Sequence, residues 1–421
     1  MNEVKQDGNP PLASLVLAGD GQTEAVAITD FIYMAKDLSN AYLVKTADGD
    51  VLVNTGFMDN AARTKALFAP LRSGPLRKIV LTQSHADHYG GVPLLREAET
   101  KAIAERRFIE NAHDTVKLMP HFGPRTFKLW GTTVKRTGPV APPPDIVPDI
   151  IVDGQYSFEQ GGRRFEILST PDGETTDSLT VWMPKERVAF TGNLFGPVFL
   201  SMPFLCTLRG DKPRSVRSYL SSVDRVRNLG AEILITGHGD PIRGAARIRA
   251  DLDKMHDAVA YVRDATLAGM NAGKDVHTLM REISLPEKIR IGEFHGKVSW
   301  AVRTIWEEYS GWFHHDSTTS LYGVPRSSID TDLVQLAGGA GALAARARKR
   351  LTDGQPLEAI HLLDIALGAE PAHGDALAVK KDVLQQLLSQ AGGTNLSETM
   401  WLRSEIAATE QKLAAKNTAP A

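Results

Sequence analysis

The feature that most restricts this chain is the run Leu81-Thr82-Gln83-Ser84-His85-Ala86-Asp87-His88-Tyr89-Gly90-Gly91, which emerges from the apolar, strand-like Lys78-Ile79-Val80-Leu81-Thr82. A strand that empties into a turn with two His and one Asp within four residues calls for a fold that gathers those groups. An extended turn presents alternate side chains to one side. Imidazole nitrogen and carboxylate oxygen suit zinc and its first-row neighbours as ligands. The alternative is a polar loop whose histidines satisfy backbone groups. A lone His would favour that alternative, and this spacing does not.

Composition narrows the class. The 421 residues allow two or three domains. Apolar residues at 42% and charged residues at 23% are ordinary for a globular protein. Forty-eight Lys and Arg against fifty Asp and Glu leave a formal charge of -2, which argues against a dedicated nucleic-acid binder. The single cysteine, Cys206, excludes an internal disulfide framework and a Cys-rich zinc finger, whereas twelve histidines suffice for a metal site. Met1 to Pro11 has no basic end followed by an apolar run, and no eighteen apolar residues run together. These features predict a soluble cytoplasmic protein with no membrane and no nucleic-acid partner.

The first 250 residues alternate strand and helix signals. Asn40–Val44 and Asp50–Val53 read as strands flanking Asp48-Gly49. Ala61–Leu71 has helical spacing, and Phe158–Leu168, broken by Gly161-Gly162, reads as a hairpin. Leu179–Trp182, Arg187–Thr191 and Glu232–Thr236 are further strand candidates. Between Leu118 and Pro148 seven prolines interrupt an aromatic-bearing segment, read as a long loop that is either functional or a surface excursion. Beyond Ala245 the pattern is helical: Ile248–Leu267, Val298–Phe313 and, after a linker at Thr318–Ser328, Leu333–Leu351, Pro356–Leu367, Asp375–Leu388 and Ser397–Leu413. The pair around Gly368-Ala369-Glu370-Pro371 looks like one helix-turn-helix repeat, too few for a solenoid.

Residues 81–91 resemble the His-x-His-x-Asp-His signature of the metallo-β-lactamase superfamily, with Gln83 where its first His belongs. Asn40–Val44 and Val51-Leu52-Val53-Asn54-Thr55-Gly56 resemble its opening strands, with Asn54 in place of the usual Asp. Thr170-Pro171-Asp172-Gly173-Glu174 resembles the third metal motif in an acidic form. Phe190-Thr191-Gly192-Asn193 falls where a bridging Asp or Glu is usual, and Ile235-Thr236-Gly237-His238-Gly239 resembles the motif that donates the last His. Glu174, Cys206-Thr207-Leu208-Arg209-Gly210-Asp211, Gly296–Arg303 and Tyr309-Ser310-Gly311-Trp312-Phe313 point to the alkylsulfatase-like branch. The resemblance covers residues 35 to 415 and lacks that branch's C-terminal lipid-carrier-like domain, because the chain ends too soon. It implies an α/β fold: a metallo-β-lactamase αββα sandwich over residues 1–245, then an all-helical dimerisation domain over 246–421, assembled as a homodimer.

The same resemblance implies the site. One metal takes Asp87, His88 and His238, an intact set. The other takes Gln83, His85 and Glu174, a weaker set because an amide oxygen is a neutral and poorer donor than imidazole. Asn193 offers no bridging carboxylate. Asp177 could compensate, although a loop cap suits it better. Leu200–Leu205 replaces the His- and Asn-bearing stretch of alkylsulfatases, so their leaving-group acid and part of their sulfate contacts are missing. Arg209 remains as an anion anchor. Phe122, Phe127 and Trp130 are expected to wall a substrate pocket. His314-His315 suit a helix end, and His113, His121 and His295 could edge the cleft.

Two functions follow. The first is a zinc-dependent hydrolase (one or two Zn2+ per chain, another first-row metal being an alternative) that attacks a small-molecule carboxylic ester, lactone or sulfate ester with metal-bound hydroxide. Asp87 would orient or deprotonate that water. The second is a non-catalytic descendant that keeps the fold as a ligand-binding or assembly scaffold, favoured by Gln83, Asn54 and Asn193. The joint presence of His85, Asp87, His88, Glu174 and His238 favours the enzyme.

Overall fold

Short apolar runs separated by turn residues become two mixed sheets. The computed structural model describes residues 14–15, 18–131 and 142–418. Met1 to Pro11 and residues 132–141 of the Pro-rich segment lie outside them. The first sheet has the order β1 (Val26–Ala27), β2 (Ile32–Ala35), β3 (Ala41–Thr46), β4 (Gly49–Val53), β5 (Leu76–Val80), β6 (Lys101–Glu105) and β7 (Ile150–Val152). Strands β4 to β7 are parallel, and the others antiparallel. The second sheet is built from β8 (Gln155–Gln160), β9 (Arg163–Ser169), β10 (Leu179–Met183), β11 (Val188–Gly192), β12 (Ile233–Thr236) and β13 (Ile242–Arg243), with only β11 and β12 parallel. The β8–β9 hairpin turns at Gly161 and Gly162, both at positive φ (50° and 80°). That is the two-residue turn whose twist matches the flanking strands.

Helices fill the outer faces. Behind the first sheet lie α1 (Ala61–Phe68), α2 (Ala86–Tyr89), α3 (Val92–Leu95) and α4 (Phe108–Lys117), followed by α5 (Met119–Trp130). Leu67, Phe68, Tyr89 and Phe108 pack there on Leu43, Leu52 and Ile79. Behind the second sheet lie α6 (Val216–Arg227), α7 (Ala245–Asn271), α8 (Val276–Glu282) and α9 (Val298–Ser310), joined in one apolar cluster. Between the sheets, Val51, Val53, Val80 and Ile103 meet Phe165, Ile167, Val181 and Phe190. Helix, sheet, sheet and helix thus form four layers, as expected.

The domain boundary expected at residue 245 falls inside a compact unit that runs from residue 11 to 309. The reason is the stripe Ile248, Leu252, Met255, Val259 and Val262, which buries α7 in the same core as Tyr219 and Val223 of α6. The remaining unit, residues 310–421, holds α10 (Asp330–Leu336), α11 (Ala340–Thr352), α12 (Pro356–Ala369), α13 (Gly374–Ala391) and α14 (Leu396–Thr418). Its core is small-sided, with Ala344, Ala347, Ala359, Leu363, Ala366 and Val383. The single helix expected over Leu333–Leu351 is two helices. Gly338 and Gly339, at φ 88° and 107°, break it.

The Pro-rich segment also departs from expectation. Its first part is helix α5, with Pro120 in the opening turn and Pro124 inside. An opening-turn proline costs a helix nothing, because its missing N–H has no partner there anyway.

Candidate metal centre

Asn54 and every candidate metal ligand lie in a segment that follows a strand. Asn54 follows β4, Gln83 to His88 follow β5, Glu174 follows β9, Asn193 follows β11 and His238 follows β12. The parallel register Val53↔Val80 places Asn54 beside the β5 exit, where its N–H bonds Val80 O at 2.9 Å. The pair Gly192↔Thr236 does the same for Asn193 and His238, whose side chains approach to 3.0 Å.

The turn after β5 is helical where an extended turn was expected, and that divides the signature. His85 ends the extended stretch (φ -76°, ψ 136°) as the N-cap of α2, and Asp87 and His88 lie within α2. Asp87 and His88, on the helical turn, face His238, and His85, on the extended stretch, faces Glu174. Asp87, His88 and His238 bring one potential ligand atom each to within 4.8 Å of one another. His88 Nε2 lies 3.7 Å from Asp87 Oδ2, and the two imidazoles stand edge to face at 6.1 Å. His88 and His238 are buried, and Asp87 is half-buried. Burial pushes His88 down to about 3 and lowers His238, the Asp87 charge opposing the latter effect. Burial also raises the Asp87 carboxyl, against the histidine charges. Two neutral imidazoles and a carboxylate that burial leaves short of counter-charge are a donor set that fits one zinc-like cation.

The second set is arranged differently. Gln83 Nε2 lies 3.1 Å from His85 Nδ1 and donates to Glu174 Oε2 at 3.1 Å. Asn193 Nδ2 donates to the same oxygen at 2.5 Å and faces His238 Nε2. Two amide groups thus occupy the carboxylate that a cation would claim. The oxygens Gln83 Oε1 and Asn193 Oδ1 are left buried without a partner. A cation would invite both amides to turn over. His85 Nδ1 stands 3.5 Å from Glu174 and its Nε2 faces Arg209 Nη2 at 3.1 Å and Asp211 Oδ2 at 3.8 Å. Burial opposes the His85 cation, but Asp211 and Glu174 outweigh it and push the imidazole up to about 9. Burial likewise opposes both carboxylates, but His85 holds them well below the usual range, helped by His295 and Asn193 at Glu174 and by Arg214 and Arg209 at Asp211.

A cavity of about 70 Å3 opens beside His85, lined by Ser84, Asn111, Leu118, Phe122, Thr176 and Asp211 among others. Of the three aromatics expected in the pocket wall, Phe122 is present. Phe127 is 72% exposed, and Trp130 is half-buried away from this cavity. Both follow from α5 being a helix, which turns Phe127 outward. Arg209 lies at the site edge. Asp177 takes the capping role, accepting from Ser84 Oγ and Asn111 Nδ2 at 3.0 Å each.

Three further neighbours complete the site, of which His295 was expected at the cleft edge and Ser39 carried no sequence signal. Ser39 reaches His88 Nδ1 at 3.1 Å from a loop forty-nine positions earlier. Asp211 closes on His85, and the Thr-Leu-Arg-Gly-Asp context was its one clue. His295 Nε2 lies 3.7 Å from Glu174 Oε1, with its ring edge-on to Phe204 at 5.1 Å.

A four-layer sandwich with His and Asp ligands gathered at strand ends is the architecture of the metallo-β-lactamase fold. Residues 35–238 match the metallo-beta-lactamase superfamily, and residues 276–405 match the alkyl sulfatase dimerisation family. The chain carries a metallo-β-lactamase superfamily domain followed by an alkylsulfatase-type dimerisation domain. The dimerisation match spans the end of the first compact unit and most of the second.

Among curated proteins, the chain is 25% identical over 399 residues to a linear primary-alkylsulfatase of a Pseudomonas species, covering 88% of this chain and 74% of the relative. It is 26% identical over 395 residues to the alkyl/aryl-sulfatase BDS1 of Saccharomyces cerevisiae, covering 86% of this chain and 60% of the yeast protein. The solved stereoselective inverting sec-alkylsulfatase Pisa1 from Pseudomonas shares the fold, with a TM-score of 0.80, 21% identity, and coverage of 94% of this chain and 66% of that one. No helix among the described residues is long and apolar enough to cross a membrane.

Proposed function

We propose that this chain is a metal-dependent hydrolase of sulfate esters, working as a cytoplasmic homodimer. The observation that carries the reading is the Asp87–His88–His238 cluster, with both histidines buried, together with a cavity that opens at the adjoining His85, which Arg209 meets at 3.1 Å. The alkylsulfatase names of the relatives support sulfate esters over the carboxylic ester or lactone that the same site chemistry would also serve. Zinc, when bound, supplies Lewis acidity and a water ionised near neutral pH. Asp87, His88 and His238 would hold the ion, and the Asp87 carboxylate would orient the water it ionises. Arg209, with a guanidinium nitrogen 3.1 Å from His85, meets the anionic end of the substrate. Leu118 and Phe122 face its hydrocarbon part and exclude water.

The scaffold reading has one specific support, the Gln83 and Asn193 amides that already satisfy Glu174 without a cation. A single experiment separates the two. Protein purified without chelator is analysed for metal and assayed on alkyl sulfates, aryl esters and lactones. The hydrolase reading expects zinc at one per chain or above and turnover of alkyl sulfates that chelator abolishes. Failure of the folded, zinc-supplemented protein to bind metal or turn over any of these substrates would leave the scaffold. Light scattering should return twice the 45.8 kDa chain mass.

A further inference from the structure

Asn54 stands at the end of β4 in the left-handed region (φ 58°), fully buried, with its side chain wedged between Thr82 and His88. Its Oδ1 accepts from the Thr82 backbone N–H at 2.9 Å and from Thr82 Oγ1 at 3.0 Å. A backbone N–H can only donate. That fixes the amide: turning it over would set two donors against each other. The Nδ2 hydrogens are therefore aimed at His88 Nδ1, 3.0 Å away.

A ring nitrogen that accepts a hydrogen bond cannot carry the proton of a neutral imidazole. We infer that Asn54 holds neutral His88 with its proton on Nε2, the nitrogen facing Asp87, and so weakens this site for zinc. The inference rests on reading Asp87, His88 and His238 as the metal ligands. Ligation through Nε2 needs that lone pair free and the proton on Nδ1. The second tautomer is reachable. The Ser39 hydroxyl donates to Gly237 O at 3.2 Å and the Thr82 hydroxyl to Asn54 Oδ1, so both keep lone pairs for Nδ1, at 3.1 and 3.2 Å. It nevertheless places Nδ1–H against the Asn54 amide hydrogens. The result is a penalty on metal binding, not a bar to it.

A carboxylate at this position would reverse the sign. One oxygen would keep both Thr82 contacts, and the other would accept from His88 Nδ1–H, leaving Nε2 for the metal. Outer partners of this kind change metal affinity by about 10–100-fold. Asn54 is thus a positioning residue acting on affinity through His88.

The test compares wild type, Asn54→Asp and Asn54→Gly. Asp and Gly both accept the positive φ. Long-range proton–nitrogen NMR on histidine-labelled, zinc-free protein, with His88 assigned through His88→Gln, reads the tautomer. Competition with a chromophoric chelator reads zinc affinity. The expected result is Nε2–H in wild type, a protonated Nδ1 in Asn54→Asp with about 10–100-fold tighter zinc, and no loss of affinity in Asn54→Gly. A wild-type Nδ1–H tautomer, or a tenfold loss in Asn54→Gly, would overturn the role of Asn54. Zinc binding by none of the three proteins would overturn the metal reading instead, and the tautomer would still decide what Asn54 does to His88.

Discussion

His85 makes the zinc-free protein's stability depend on pH with a sign that can be worked out in advance. Asp211 and Glu174 lift its imidazole from 6.5 to about 9, against burial. A group whose folded pKa lies above its unfolded one adds stability that is complete below the unfolded value and is lost as pH rises through the folded value. The window is therefore pH 6.5 to about 9. At about 1.4 kcal/mol per pH unit, the ceiling is roughly 3 kcal/mol. Glu174 and Asp211 share this same energy, so their depressed values are not added to it. The perturbation is His85→Gln, which fills similar space without a titrating ring. Urea unfolding of chelator-treated protein from pH 6 to 10, followed through Trp fluorescence, gives both stabilities. The wild-type advantage should shrink by about 2–3 kcal/mol across the window. An advantage constant to within about 0.5 kcal/mol would refute a charged His85 between two carboxylates. Below pH 6.5 the sign reverses for His88 and His295, which burial pushes to about 3 and about 4. They must stay neutral in the fold, so stability falls as the unfolded chain protonates.

Three further outcomes follow from the site and the cores. Gln83→His removes the amide that occupies Glu174 and restores an imidazole, so calorimetric zinc titration should show a second site filling after the first. An unchanged isotherm would mean that Gln83 is not at a metal position. Phe122→Ala should raise KM for a long-chain alkyl sulfate by about 5–30-fold, the equivalent of about 1–2 kcal/mol of apolar contact, with zinc content unchanged. Phe127→Ala, at an exposed position, should leave KM alone, and steady-state kinetics on both variants checks this. Leu363→Ala, fully buried between α11 and α13, should destabilise the helical unit by about 2–5 kcal/mol. Calorimetric melting should show that loss while metal binding is retained.

Much of the site was legible because its chemistry is local in sequence. The strand before Gln83, the residues His85, Asp87 and His88, and the strands leading to Glu174, Asn193 and His238 are each readable within about ten residues. So was the intact set, since Asp87, His88 and His238 do converge. Less local features were not. The expected loop at Leu118 is helix α5, because its early proline falls where a helix tolerates one, and that single change sends Phe127 outward. The Leu333–Leu351 helix is interrupted because two glycines adopt positive φ, which an apolar period does not reveal.

Short-range patterning in the chain carried the four-layer class and placed His85, Asp87, His88, Glu174 and His238 as candidate ligands beyond strand ends. Those depend on side-chain chemistry and on short-range periodicity. The packed fold supplied the geometry behind their division into two sets, because Asp87 and His88 lie on a helical turn after β5 and face His238, whereas His85 ends the extended stretch and faces Glu174. It also decided where the first compact unit ends, since α7 buries its apolar stripe on α6. Above all it decided what Asn54 does. An Asn in place of an Asp reads only as a lost charge until the Thr82 N–H fixes which end of the amide faces His88. Hydrogen-bond direction is a property of three groups held at fixed distances, and only the packed chain holds them there.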